Sequence, residues 1–225
     1  MGAHLEAVIF DVDGVIVDTE QLQSDCFANI LSSLGYAQHA LTTYGTIQIP
    51  GESTEQTWER LNISMDISID ITHLSQLKRA MVLDKLDHVT TPMPGLEQLL
   101  GELSGNIRVA TASSAKRERD SKILHSLGIA KLFEVNVSAD DVTHLKPDPE
   151  PYLLVAKKLE ISPNSCVAIE DTESGVLSAS TSGMKVVAVP NIYTAAMNFD
   201  RAELITPDLT HLNLVKLQTL FKANN

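Results

Sequence analysis

Seven side chains of this sequence gather where strand-like runs give out: Asp11 and Asp13, Thr111 and Ser113, Glu170 and Asp171, and Lys146 in a loop between two such runs. Asp11-Val12-Asp13-Gly14 follows Ala7-Val8-Ile9-Phe10, an uncharged run rich in β-branched and aromatic side chains. Alternation with period two starts both carboxylates on one side of the chain, and Gly14 lets the backbone turn sharply after them. Two acids so close repel unless a cation or a shared proton intervenes. Glu170 and Asp171 bring a second acidic pair from the end of Cys166–Ile169. Carboxylates from two strands make an all-oxygen nest suited to Mg²⁺, which takes few carboxylates together with water and substrate phosphate. The Lys146 ammonium and a Thr111 or Ser113 hydroxyl complete a cradle for a phosphoryl group. Each feature alone has a plainer reading: a turn at Asp-x-Asp-Gly, a solvated loop charge at Lys146, a helix cap at Thr111. Their joint arrival at successive strand ends is what favours a site.

The elements that must position these residues alternate along the chain. Ala7–Phe10 reads as a central strand covered on both faces. A helical pattern opens at Thr19-Glu20, with Leu22, Phe27, Ile30, Leu31 and Leu34 on its apolar side and Gly35 as its stop. Helical spacing returns over Thr54 to Leu61 and Leu74 to Leu86, with few strand-like runs before His88. Residues 19–89 therefore read as a helical cap inserted into a core of residues 1–18 and 90–225, placed to close over the acidic turn as a lid. After the stiff Thr91-Pro-Met-Pro-Gly95 segment come a helix over Leu96 to Leu103, a strand over Ile107 to Ala110 and a helix over Lys116 to Leu127. A strand over Glu134 to Val137, the Lys146-Pro-Asp-Pro loop and a helix over Tyr152 to Leu159 follow. The strand Cys166 to Ile169, a helix over Ser174 to Ser182, the strand Lys185 to Val189, a weaker strand near Glu203 to Ile205 and a terminal helix from about Leu212 to Phe221 complete the chain. This order predicts an α/β fold: a doubly wound parallel sheet, Rossmann-like, with an inserted helical cap.

Composition narrows the function. With 17 Lys+Arg against 29 Asp+Glu, the net charge of −12 disfavours a nucleic acid or an anionic membrane as partner. No apolar run is long enough for a membrane helix and no signal-peptide pattern precedes the first strand, so a cytoplasmic protein is expected. Cys26 and Cys166 lie far apart and read as buried, inert thiols. The seven histidines show neither an i,i+4 pair nor a Cys neighbour at ligand spacing, which argues against zinc.

Four signature elements in order, Asp11-Val-Asp-Gly-Val-Ile-Val-Asp18, Val109-Ala-Thr111, Lys146-Pro-Asp-Pro and Ile169-Glu-Asp171 followed by Ser174-Gly175, give a resemblance to the haloacid dehalogenase-like superfamily. The similarity is to its branch with a helical cap after the first strand, which holds phosphoglycolate phosphatases and β-phosphoglucomutase. The resemblance implies Asp11 as nucleophile and Asp13 as general acid and base. It implies Thr111, Ala112, Ser113 and Lys146 around the phosphoryl group, and Asp11, the Asp13 carbonyl, Glu170 and Asp171 around Mg²⁺. On those roles Asp11 must be ionised to attack phosphorus, so Lys146 and the metal are expected to depress its pKa. Leu145 stands where the family more often has Gly, and Thr172 where it has Ser; both are tolerable departures.

Two further positions separate activities within the branch. The mutase carries a histidine where Gln23 aligns and an arginine where Thr54 aligns. Without that arginine the second phosphate of a bisphosphate intermediate is held weakly and water should win. The expectation is thus a Mg²⁺-dependent phosphatase acting on a small phosphorylated metabolite, a sugar phosphate or sugar-acid phosphate. A mutase is the alternative, and a catalytically silent phosphate-binding module the alternative of another class. Specificity falls to the cap, with Glu20, Gln23, Glu52 and Thr54 as first candidates and Trp58, Arg60, Lys78 and Arg79 behind them. A monomer is the default expectation.

Overall fold

The computed structural model describes residues 4–36, 53–89 and 91–222. The chain divides into two compact units, Met1–Asp18 with Thr91–Asn225, and Thr19–Thr90.

The first unit is built on a six-stranded sheet in which every pairing is parallel, in the order β3-β2-β1-β4-β5-β6. Its strands are β1 (Ala7–Phe10), β2 (Arg108–Ala112), β3 (Val135–Val137), β4 (Cys166–Glu170), β5 (Lys185–Ala188) and β6 (Leu204–Ile205). All four residues of β1 are inaccessible to solvent, as the uncharged run requires of a strand with neighbours on both edges and helices on both faces. Register aligns the chemistry: Phe10 pairs with Thr111 on one side and Ile169 on the other. The residues that follow in the three strands therefore emerge along one edge of the sheet.

The connections are α4 (Leu96–Leu103), α5 (Arg117–Ser126), α6 (Glu150–Leu159), α7 (Glu173–Thr181) and α8 (Leu214–Thr219), the first three numbers of the series belonging to the second unit. In α4 the leucines at 96, 99, 100 and 103 are all buried, the i, i+3, i+4, i+7 stripe of a helix lying on a sheet. Tyr152, Val155, Ala156 and Leu159 of α6 pack with Ala7, Ile9, Ala168 and Val186 in one core. Two strands run further than the sequence indicates. Thr111 and Ala112 belong to β2, because Thr111 pairs with Asn136 and Ala112 with Val137, and Glu170 belongs to β4 through its pairing with Ala188.

The second unit holds α1 (Glu20–Ser33), α2 (Thr54–Met65) and α3 (Ile71–Val89). Phe27, Ile30, Leu31, Trp58, Leu61 and Leu74 form its own core, with the Phe27 and Trp58 ring centroids 4.6 Å apart. A capping box starts α2: Ser53 Oγ accepts from the Gln56 N–H and Gln56 Oε1 from the Ser53 N–H. Among the described residues no helix is long and apolar enough to cross a membrane. Both cysteines are buried and unbridged, and burial pushes the Cys166 thiol up to about 12.

Candidate active site

Asp11 is fixed by its backbone N–H, which donates to the Ile169 carbonyl at 3.0 Å and so continues β1 along β4. Its carboxylate oxygen and those of Glu170 and Asp171 lie within 4.8 Å of one another. Into this acidic cluster reaches Lys146, its side chain 4 % exposed. The ammonium donates to Asp11 Oδ1 at 2.5 Å, Glu170 Oε1 at 2.5 Å and the Ala112 carbonyl at 2.8 Å. Those three bonds use all three of its protons.

Two glycines make room for the carboxylates. Gly14 turns the chain at φ +74°, and a Cβ there would stand 2.0 Å from Asp171 Oδ2; a Cβ on Gly175 would stand 2.0 Å from the Glu170 carboxyl carbon. Thr172 starts α7 by accepting from the Gly175 N–H at 3.1 Å, and its hydroxyl donates to Glu170 Oε2 at 3.4 Å. The departure from Ser at this position keeps the hydroxyl that does both.

Electrostatics in this pocket are set by burial. Burial pushes the Asp11 carboxyl well above its ordinary range, Lys146 pulls it back, and Glu170 and Asp13 push it up again. Lys146 by itself does not bring about the depression expected of Lys146 and the metal together: one ammonium serving two carboxylates does not outweigh the loss of water. Burial also opposes the charge on Lys146, but Asp11 and Glu170 hold its pKa well above the ordinary lysine range. Three buried carboxylates against one ammonium leave a deficit of positive charge. The all-oxygen donor set, the excess negative charge and the space kept by Gly14 and Gly175 fit a small divalent cation.

The remaining site residues have partners of their own within each unit. The Asp13 carboxylate is engaged by Arg119, through Oδ2 and Nη2. Thr111, 1 % exposed, donates its hydroxyl to Asn136 Oδ1 at 2.9 Å, so it must rotate before it can donate to a phosphoryl oxygen. Ser113 Oγ accepts from the Ala115 N–H at 3.0 Å at the approach to α5. In the second unit, Lys78 draws two candidates together: its ammonium donates to Gln23 Oε1 at 2.8 Å and Thr54 Oγ1 at 3.2 Å, and lies 4.3 Å from the Phe27 ring centroid. Glu20 is buried at the start of α1, whereas Glu52 lies outside the described residues.

Several partners escaped the reading of the sequence. Tyr152 donates its hydroxyl to Glu170 Oε1 at 2.6 Å, and Asn191 Nδ2 donates to Asp171 Oδ2 at 2.9 Å. Tyr152 sits on the apolar stripe of α6 and reads as core, which it also is; nothing local reveals where its hydroxyl goes. Arg119 falls in the charged run Lys116-Arg-Glu-Arg-Asp120 and reads as solvated, yet it shares the buried face of α5 with Ile123. That i,i+4 relation was the available signal. His144, Asp148 and Glu150 also converge, but Glu150 is occupied in shaping their loop, accepting from the Thr143 and His144 N–H groups at 2.9 and 2.7 Å.

The family model for haloacid dehalogenase-like hydrolases matches residues 8–189, from β1 through the end of β5. The chain belongs to the haloacid dehalogenase-like hydrolase family. It is 31 % identical to YhcW of Bacillus subtilis (strain 168) over 222 residues, 98 % of this chain and 100 % of that protein. It is 30 % identical over 220 residues to the phosphorylated carbohydrates phosphatase of Thermotoga maritima, covering 94 % of this chain and 99 % of that one. The crystal structure of β-phosphoglucomutase from Clostridium difficile superposes with a TM-score of 0.82 at 26 % identity, over 96 % and 97 % of the two chains. Family membership and a site in which a buried lysine and an acidic cluster face one sheet edge make the chain a phosphatase.

Proposed function

We propose that the chain hydrolyses a small phosphorylated metabolite, of the sugar phosphate or sugar-acid phosphate class, through an aspartyl-phosphate on Asp11 with the help of Mg²⁺. The Lys146 clamp on Asp11 and Glu170 carries this reading, because it sets a buried ammonium against the carboxylate that must attack. Similarity to a phosphatase of phosphorylated carbohydrates supports the substrate class.

Asp11 attacks phosphorus and the bond to the ester oxygen breaks. Asp13 gives its proton to the departing alkoxide, then takes one from the water that attacks the acyl phosphate; the phosphorus–oxygen bond to Asp11 breaks and inorganic phosphate leaves. Lys146 lies where it can neutralise an incoming phosphoryl oxygen. Asp11, Glu170 and Asp171 would hold the Mg²⁺, which would supply positive charge to the transferring phosphoryl group.

The test is inorganic phosphate release from a panel of phosphorylated metabolites, with Mg²⁺ and with EDTA, by wild type and Asp11→Asn. Metal-dependent release confined to wild type is the expected result; release that survives Asp11→Asn would rule out attack by Asp11.

One observation favours a second reading. Thr54 lacks the arginine expected of a mutase, yet Lys78 brings a buried ammonium to Thr54 and Gln23. β-Glucose 1-phosphate belongs in the panel for that reason, and its conversion to glucose 6-phosphate without phosphate release would decide for the mutase.

A further inference from the structure

Arg119 is 9 % exposed on α5, two residues inside its N-terminus, and its Nη2 meets Asp13 Oδ2 from the β1 loop and Asp120 Oδ1 at 3.5 Å. Asp120 is itself buried, so the guanidinium is tied to α5 at one side and to the acidic turn at the other. Among the described residues, Arg119 Nε and Asp120 Oδ2 are buried polar atoms without a hydrogen-bond partner. Such atoms are costly in a folded protein. An apolar side chain beside Ile123 would close the same space without them.

The result is a division of labour between two acids only two residues apart. Asp11 is gripped by Lys146 from the loop before α6, and Asp13 by Arg119 from α5. The Asp13 backbone is held through the bridge to Val17, and Arg119 is among the groups that hold its carboxylate in one χ orientation. Arginine suits that task better than lysine because its rigid fork sets direction as well as charge.

We propose that Arg119 is a positioning residue for Asp13, fixing the carboxylate that serves as general acid and base and keeping it apart from Asp11. The proposal rests on the phosphatase reading above. Because Arg119 acts through Asp13, its removal must hurt only where Asp13 delivers a proton. Alkyl phosphates need a proton on the departing oxygen; 4-nitrophenyl phosphate does not, since its leaving group departs as a stable phenolate.

The experiment measures kcat/KM, which covers events up to ester cleavage, for 4-nitrophenyl phosphate and for glucose 6-phosphate, or the alkyl ester of the panel that turns over fastest. Wild type, Arg119→Gln, Arg119→Lys, the double variant Arg119→Gln/Asp120→Asn and Asp13→Asn are compared on the full chain with Mg²⁺. The double variant removes both buried charges together. The ratio of the two kcat/KM values on one preparation is independent of the folded fraction, so a weakly folding variant still reports. Arg119→Gln and the double variant should lose about tenfold or more on the alkyl ester and less than about threefold on the aryl ester, as Asp13→Asn does, with Arg119→Lys in between. Equal losses on both esters would make Arg119 structural, and no loss on either would leave it idle; both overturn the proposal. Wild type inactive on both esters would instead remove the phosphatase reading itself.

Discussion

The Tyr152 hydroxyl and the Lys146 ammonium donate to the same oxygen of Glu170, Oε1, at 2.6 and 2.5 Å. The other oxygen takes the Asp171 N–H at 3.1 Å and the Thr172 hydroxyl at 3.4 Å. A carboxylate with no solvent exposure is thus satisfied on both sides and presented to Asp11 and Asp171 in one orientation. Tyr152→Phe removes one donor while keeping the ring in the core. It should cost about 1–2 kcal/mol in urea unfolding and weaken Mg²⁺ binding several-fold, since supporting bonds orient metal ligands. Unchanged Mg²⁺ affinity would show that Lys146 and the backbone suffice to orient Glu170.

Gly175 guards the same carboxylate from the other direction. A methyl group there would overlap the Glu170 carboxyl group, whose atoms come within about 2 Å of the added Cβ. Gly175 lies in the first turn of α7, where alanine has the better helix propensity, so local preference alone favours the substitution. Displacement of a buried, four-bonded carboxylate should reverse that preference. Gly175→Ala is expected to be destabilised by about 2 kcal/mol or more and to lose at least about tenfold in Mg²⁺ affinity. A variant as stable as wild type would mean that Glu170 can swing aside cheaply.

The sheet was legible because its strands are short uncharged runs separated by helical spacing, and β1 could be placed in the centre from its composition alone. The ends were less legible. Thr111 and Ala112 look like a loop beside small hydroxyl residues, and only pairing with β3 keeps them in the strand. Within the site, Asp11, Lys146, Glu170 and Asp171 were legible together rather than singly, through the joint placement of carboxylates at strand ends and a lysine in a nearby loop. Tyr152 and Asn191 did not. Each looks locally like a core or loop residue, and its role is a long-range bond that spacing cannot encode. Arg119 failed for a different reason: charge density on α5 masked a buried position that the i,i+4 relation to Ile123 marks. Lys78 is similar, a cation on a polar helix that turns out to be 4 % exposed and bound to Gln23 and Thr54.

Charge balance in the acidic cluster gives a metal prediction that needs no turnover. Asp11 stands well above its ordinary range because burial outweighs Lys146, so ionising it without a further cation opposes folding. A cation that binds only the folded chain stabilises it by mass action, about 2.7 kcal/mol at a hundred times its dissociation constant. Saturating Mg²⁺ should therefore raise the wild-type unfolding midpoint by several degrees, and EDTA should return it. Asp171→Asn, which keeps the bond from Asn191 but removes a charge, should show little of that rise. Equal Mg²⁺ shifts in both proteins would place the cation elsewhere.

Asp120 allows the sign of a pH effect to be worked out. Burial pushes its carboxyl up to about 6 although Arg119 favours the charged form. In the unfolded chain an aspartate titrates near its ordinary value of about 3.9. Between those values the folded state binds the extra proton, so stability falls as pH rises from about 4 to about 6 and levels off above. The full contribution is present below the unfolded value and is lost through the folded one. A shift of about two units corresponds to about 3 kcal/mol. Asp120→Asn cannot titrate, so the stability of wild type minus that of the variant should decline by on the order of 2 kcal/mol from pH 4 to pH 7. Urea unfolding of both proteins across that range measures the difference directly. A difference that rises with pH would mean that the ion pair with Arg119 outweighs burial and that Asp120 is held charged.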